Sequence, residues 1–169
     1  GFAGYISFGH ILFFGLGAYF SGYLAVEYSI SPFISAPIAG VFTMIVAIPI
    51  GFATLRLRGP YFAIATLAVA VIGQLTISNI SELGGGEGLV LPPNPWDVQI
   101  MRIPFYYTLL VILIMAVLTA WYISRSNFGI WLRAIREDEP KAEAVGVNTG
   151  LLKSTAFIIS AFFPGVAGA

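Results

Sequence analysis

The sequence predicts an all-α protein, a polytopic bundle of transmembrane helices with short amphipathic helices on the cytoplasmic side. Of the 169 residues, 58% are hydrophobic and 9% are charged, whereas about a quarter of the residues in a soluble domain are charged. The charges are also clustered, and none lies in 1–26, 28–55, 59–81, 103–124 or 154–169. A charge-free apolar run of about 18 residues is long enough to cross a bilayer as a helix.

Five membrane spans follow from these runs, at about 11–26, 33–55, 61–80, 105–124 and 154–169. Glu27 and Pro32 separate the first two spans, and Pro60 precedes the third, because proline suits a turn or the first position of a helix. The stretch 81–104 is rich in glycine and proline and predicts a loop. The chain begins inside an apolar run and its last span is short, so we expect an internal piece of a longer protein, truncated at both ends.

The distribution of lysine and arginine predicts the orientation of the chain in the membrane. The 56–60 link and the 125–153 loop are rich in basic residues, the 27–32 turn has none, and the 81–104 loop has only Arg102 beside three acidic residues. Short cytoplasmic loops carry an excess of Lys and Arg. Successive spans alternate in direction, so 56–60 and 125–153 are predicted to face the cytoplasm.

The composition also argues against several classes of function. The chain has no cysteine, which rules out disulfide frameworks, thiolate nucleophiles and cysteine-ligated metals. Its formal net charge is zero, which gives no case for a nucleic-acid partner. No charged residue lies within a predicted span, although proton relays and many ion-coupled carriers use such residues. We predict no catalytic residue, no metal site and no nucleotide site in this chain.

Small residues recur four positions apart in the first and fifth spans, as in Gly17 and Ser21 or Ala161 and Gly165. Such spacing lets helix backbones approach closely in lipid. It is typical both of ordinary bundle packing and of helices that wall a narrow pathway, and the spacing alone does not separate the two.

A polar cluster that contains His10, the single histidine, precedes the first span. A lone histidine commonly hydrogen-bonds to a nearby backbone or hydroxyl group, which is the first interpretation. In the second, Gly4 and Gly9 unwind a broken helix, and its exposed backbone and side chains line a substrate cavity, as discontinuous helices do in transporters.

The 125–153 loop predicts a short amphipathic helix over 128–136. The i, i+3, i+4, i+7 rule places four apolar residues on one face and turns Arg133 and Arg136 away from it. Those four are Phe128, Trp131, Leu132 and Ile135. We expect this helix to lie against the membrane or against the bundle.

A second short helix follows in the same loop. Asp138 suits its N-cap, Glu139 and Pro140 suit its first turn, and Gly146 follows its end. The two helices are either a solvated connector or a docking element that passes the movement of a soluble partner to the spans. Because the chain has neither an intramembrane charge relay nor a nucleotide site, the energy for transport would come from another subunit.

Several stretches stand out as a set: 4–10 (GYISFGH) with 13–19 (FFGLGAY), 57–67 (LRGPYFAIATL), 84–89 (GGGEGL) and 132–146 (LRAIREDEPKAEAVG). Together they resemble the permease subunits of branched-chain amino acid ABC importers of the LivM-like type. They follow the family's order and are spread over nearly the whole chain, and the last is the most specific.

This resemblance implies that residues 1–169 form a single permease domain in the inner (cytoplasmic) membrane. The implied partners are a second permease subunit, two cytoplasmic ATPase subunits that bind the ATP, and an extracytoplasmic substrate-binding protein that delivers leucine, isoleucine or valine. The chain would need no cofactor of its own. The resemblance also assigns the ATPase coupling element, with Arg136, Glu137, Asp138, Glu139, Ala142, Ala144 and Gly146 as candidate coupling residues.

The candidate substrate path consists of residues on the broken helix and on the third span: Ser7, His10, Tyr61, Phe62 and Thr66. Three alternatives remain open at this point. The first is a permease of the same type for urea or other amides, and the second is an ATP-independent channel or facilitator. The third is an intramembrane enzyme that uses His10 and Glu87, although these two residues provide few of the groups that a catalytic site needs.

Overall fold

The computed structural model describes residues 4, 7–57, 59–83, 85, 88, 89 and 98–169, with the backbone alone at 82 and 98–101. Within these residues the chain forms α-helices and a short 3-10 helix, Ser81–Leu83, and no strand. The helices are α1 His10–Tyr28, α2 Pro32–Thr54, α3 Pro60–Ser78, α4 Val98–Arg125, α5 Asn127–Glu137, α6 Glu139–Ala144 and α7 Thr149–Gly168. The predicted all-α class is confirmed.

Five of these helices are long and apolar enough to cross a membrane: α1, α2, α3, α7 and the part of α4 from Arg102 to Arg125. The chain is therefore a multi-pass membrane protein. The bounds of α1, α2 and α3 lie within one or two residues of the spans predicted from the charge-free runs. Helices α5 and α6 are the two short helices expected in the 125–153 loop.

The start of the fourth span differs from the prediction. Helix α4 begins at Val98 and contains Pro104, whereas the sequence placed a loop up to residue 104. A proline removes one backbone donor from a helix, and in membrane helices neighbouring groups and local adjustments commonly compensate for the loss. Residues 84, 86, 87 and 90–97 of the predicted loop lie outside the described residues.

The fifth span also begins earlier than predicted. Helix α7 starts at Thr149, because the Asn148 side chain accepts a hydrogen bond from the Leu151 N–H at 3.1 Å and caps the helix. Lys153 therefore lies inside α7, with 5% of its surface exposed. The expectation that no charged residue lies within a span was wrong at this position. Pro164 also lies inside α7 and does not end it.

Helices α1, α2 and α7 form the centre of the bundle, with α7 packed against both of the others. Their contacts depend on small residues. A methyl group on Gly17 of α1 would overlap the Gly165 carbonyl oxygen of α7, and one on Gly40 of α2 would overlap the side chain of Phe162. The Thr43 hydroxyl of α2 lies 3.1 Å from the Ala161 carbonyl oxygen of α7. The small residues thus let these backbones approach closely.

Helices α1, α3 and α7 begin, and α2 and α4 end, at the same end of the bundle, where α5 and α6 also lie. Contacts across this end include Phe8 with Thr66, and Lys153 with the Leu55 carbonyl oxygen. We call it the connector end. Both cavities described below lie beside it.

Candidate functional site

A cavity of about 520 Å³ lies between the starts of α1, α3 and α7 and the C-terminal part of α4. Three of the five predicted path residues, Ser7, His10 and Phe62, line it. Its wall is mostly apolar, with the side chains of Ser160 and Lys153 adding polar groups. Its volume lies within the range of small-molecule sites.

The stretch that enters α1 is not helical at residues 7–9. The Phe8 N–H donates to the Thr66 hydroxyl at 3.1 Å, and the Gly9 N–H donates to the Ser7 hydroxyl at 3.3 Å. Backbone donors away from water must be satisfied within the protein. The two hydroxyls accept the N–H groups of this stretch and so stabilise its non-helical conformation. Thr66 is fully buried. Gly4 has a φ of 76°, but residues 1–3, 5 and 6 lie outside the described residues, so the broken helix stays a prediction.

His10 begins α1 and contacts α7. Its Nε2 lies 3.1 Å from the Ser160 hydroxyl oxygen. The Ser160 hydroxyl also lies 2.7 Å from the Phe157 carbonyl oxygen, and the tautomer of the ring sets which group donates in the His10–Ser160 contact. The ring also makes edge contacts with Phe13 and Phe157. His10 is thus hydrogen-bonded to a hydroxyl group, as in the first interpretation, and it lines the cavity. That this cavity takes a substrate stays a prediction.

The two predicted path residues at the start of α3 lie in different surroundings. Phe62 is 1% exposed and belongs to the apolar core with Phe13 and Phe157. Tyr61 is 70% exposed and does not line the cavity. The roles of Ser7, His10, Tyr61, Phe62 and Thr66 in transport stay predictions.

Helix α5 lies against the end of α4. The Ser126 side chain caps it by accepting the Gly129 N–H at 3.3 Å, and a methyl group on Gly129 would overlap the Ile123 carbonyl oxygen. Leu132 and Ile135 are buried, as predicted. Trp131 is 43% exposed and lies at the margin of the buried stripe of Gly129, Leu132 and Ile135. Its contact with the membrane or the bundle stays a prediction.

Three of the seven candidate coupling residues, Glu139, Ala142 and Ala144, lie in helix α6, and Asp138 is its N-cap. The Asp138 carboxylate accepts the Lys141 N–H at 3.1 Å and pairs with the Lys141 ammonium at 2.8 Å. These contacts hold the pKa of the Asp138 carboxyl below its usual value, and the carboxylate raises the pKa of Lys141. Gly146 follows the end of α6 and has a φ of 87°. Glycine adopts this left-handed conformation without a steric penalty.

The candidate coupling residues differ in exposure. Ala142 is 4% exposed and turns toward the bundle, and the Glu139 side chain is 10% exposed. Four of the candidate coupling residues are exposed: Arg136, Glu137, Ala144 and Gly146. Their contact with an ATPase stays a prediction.

An ion pair that the sequence did not predict joins α6 and α7. The Lys153 ammonium lies 2.6 Å from Glu139 Oε1 and 3.3 Å from the Leu55 carbonyl oxygen. Because the charge-free run starts at Ser154, Lys153 was treated as a flanking residue. The signal that could have placed it in the helix is Asn148, a good N-cap residue directly before Thr149.

Within the part of the chain that the structure describes, no group of three or more His, Asp or Glu side chains could hold a metal ion. Glu87, the second residue of the enzyme alternative, lies outside the described residues.

Comparison with known proteins gives consistent matches. A family model described as "Branched-chain amino acid transport system / permease component" matches residues 1–169. The high-affinity branched-chain amino acid transport system permease protein LivM of Escherichia coli (strain K12) is 32% identical over 197 aligned residues, which cover 99% of this chain and 46% of that protein. LivM of Salmonella typhimurium (strain LT2) gives the same identity and coverage.

The chain therefore spans about half the length of these curated relatives. No solved structure matches the chain. Since the family model covers all of its residues, the chain belongs to the family of branched-chain amino acid transport permease components.

Proposed function

We propose that this chain is part of the permease subunit of an ABC importer that carries branched-chain amino acids across the inner membrane. Two separate ATPase subunits bind and hydrolyse the ATP, a second permease subunit completes the pore, and an extracytoplasmic binding protein delivers the substrate. The observation that carries this proposal is the match of the permease family model to the whole chain. The urea, facilitator and enzyme alternatives have no such support.

The charge distribution supports an orientation with the connector end in the cytoplasm. Seven of the eight Lys and Arg residues lie, by sequence, in the segments at this end, and Arg102 alone lies toward the opposite end, near the start of α4. Cytoplasmic loops carry such an excess. Helix α6 then faces the side on which an ATPase subunit would bind.

The cavity suits an amino acid with an aliphatic side chain. Its apolar wall, which includes Phe62 and Phe157, favours burial of a branched hydrocarbon group. Ser7 and His10 bring polar groups to the same wall. The start of α1 also lies there, and the N-terminus of a helix favours a carboxylate, as in other transporters with discontinuous helices.

Uptake into proteoliposomes tests this proposal. The full-length parent with its co-purifying subunits is reconstituted, and accumulation of radiolabelled leucine and urea is measured with and without internal ATP and added binding protein. We expect accumulation of leucine that requires both ATP and the binding protein. Accumulation of urea in place of leucine would contradict the substrate, and equilibration without ATP would contradict the ABC importer.

A further inference from the structure

A second cavity of about 540 Å³ lies at the connector end, between the end of α2, helix α6 and the start of α7. It is lined by polar residues such as Arg56, Glu143 and Asn148. We call it the connector groove, and we call the 520 Å³ cavity beside His10 the inner cavity. Leu55 and Lys153 line both of them, so these two residues form the partition between the connector groove and the inner cavity.

The partition is closed by contacts between three elements. Lys153 extends from α7, and its ammonium donates to the carbonyl oxygen of Leu55, the residue that follows α2, at 3.3 Å. The same ammonium pairs with Glu139 of α6 at 2.6 Å. Leu55 is 8% exposed and Lys153 is 5% exposed. The side chains at the partition are therefore packed and largely shielded from solvent.

The ion pair links the partition to α6. A buried ammonium is costly to separate from a buried carboxylate, so a displacement of Glu139 tends to carry the Lys153 head group with it. The lysine side chain has four methylene groups joined by rotatable bonds, so it can follow such a movement without a shift of the α7 backbone.

We propose that Leu55 and Lys153 form the cytoplasmic gate of the transport path, and that Glu139 is the positioning residue that holds Lys153 in the closed position. Displacement of α6 by an ATPase subunit withdraws Lys153 from the Leu55 carbonyl and joins the inner cavity to the connector groove. This gate rests on the proposed function for its role in transport. The contacts that close the gate, from Lys153 to Leu55 and to Glu139, are formed within this chain and need no partner subunit.

The test measures access from the connector groove to the inner cavity. Ala156 lines the inner cavity, and the chain has no native cysteine, so Ala156→Cys provides a reporter thiol. The variant is placed in the full-length transporter with its other subunits, after replacement of any cysteine elsewhere in the complex. Inside-out vesicles without ATP or substrate are exposed to a membrane-impermeant maleimide, and the rate of labelling is measured.

Lys153→Met and Leu55→Ala are expected to raise the labelling rate about tenfold, because a closed gate admits the reagent only from a minor open population. Lys153→Arg keeps the cation and is expected to restore slow labelling. Lys141→Met is the matched control, since Lys141 also forms an ion pair on the same short helix, with Asp138, but 85% of its side chain is exposed. It is expected to label as slowly as the parent.

A second reporter, Val147→Cys in the connector groove, monitors the fold and is expected to label equally in every variant. If Lys153→Met fails this check, Leu55→Ala decides the outcome. Equal labelling of Ala156→Cys in the parent and in the well-folded gate variants would overturn the proposal. Because the assay needs neither ATP nor a transported substrate, a failure of the gate is distinguishable from a failure of the uptake test.

Discussion

Gly17 of α1 lies against the backbone of Gly165 of α7, so closely that a single added methyl group would overlap the Gly165 carbonyl oxygen. Neither residue has a side chain to separate the two helices. Close backbone approach is a main source of helix association in lipid. This contact therefore fixes α1 against α7 beside the inner cavity.

Gly17→Val is expected to destabilise the bundle by about 2–3 kcal/mol, because the added carbons meet backbone atoms that cannot rotate away. Gly15→Ala in the same helix is the matched control, since nothing lies within 4 Å of the position of its added methyl group. Thermal unfolding of the purified full-length permease complex, followed by intrinsic fluorescence, measures both. Equal melting temperatures for the parent and Gly17→Val would show that the two helices are not in contact.

His10→Leu and His10→Gln are expected to raise the KM for uptake about tenfold, because each removes the imidazole that faces the inner cavity. A glutamine amide can both donate and accept a hydrogen bond with the Ser160 hydroxyl, so His10→Gln is expected to retain the parental melting temperature. The measurement is the concentration dependence of leucine uptake in proteoliposomes. An unchanged KM in both variants would assign His10 to packing alone.

Ala144→Trp is expected to lower uptake per ATP hydrolysed by about tenfold, which corresponds to roughly 1.4 kcal/mol. Ala144 is exposed on α6, so the indole does not disturb the bundle and instead obstructs the docking of a partner. Ala144→Ser keeps the small size and serves as the control. Parental uptake by the tryptophan variant would remove α6 from the coupling surface.

The Asp138–Lys141 pair predicts how α6 responds to pH. The pKa of Asp138 is lowered, so its stabilisation of α6 is complete above the pKa of the unfolded chain and is lost as the pH falls through the lower folded value. The pKa of Lys141 is raised, so its contribution is complete below the unfolded pKa and is lost as the pH rises through the higher folded value.

Hydrogen exchange at the Lys141 amide, corrected for the intrinsic effect of pH, is therefore expected to be slowest across the neutral range and faster at both extremes. Asp138→Asn keeps a side chain that can cap the helix and should flatten the acid limb. An acid limb that persists unchanged in Asp138→Asn would assign it to another group.

Much of the fold could be predicted from the spacing of charges alone. The bounds of α1, α2 and α3 are set by local features, namely the charge gaps and the prolines at Pro32 and Pro60, so the sequence is informative there. The start of α4 depends on how the bundle accommodates Pro104, and the start of α7 on how it accommodates Lys153; neither accommodation can be read from the local sequence. Pro104 is tolerated inside a helix, and Lys153 is neutralised by a carboxylate 14 positions away.

The candidate site could be predicted only in part. The polar cluster at the start of the chain indicated Ser7 and His10, which line the inner cavity. The hydrogen-bond partner of His10, Ser160, is 150 positions away, and Thr66, the partner of the neighbouring Phe8, is 58 positions away. The spacing of residues along one helix carries no information on such pairs.

The small residues between α1, α2 and α7 also have a mechanical consequence. At Gly17, Thr43 and Gly165 the three backbones approach one another without intervening large side chains, and packed cores resist the deformation that parting them would require. The large apolar residues of α4, in contrast, are mostly exposed. We therefore expect α1, α2 and α7 to behave as one rigid body, around which α3, α4 and α6 supply the motion of alternating access.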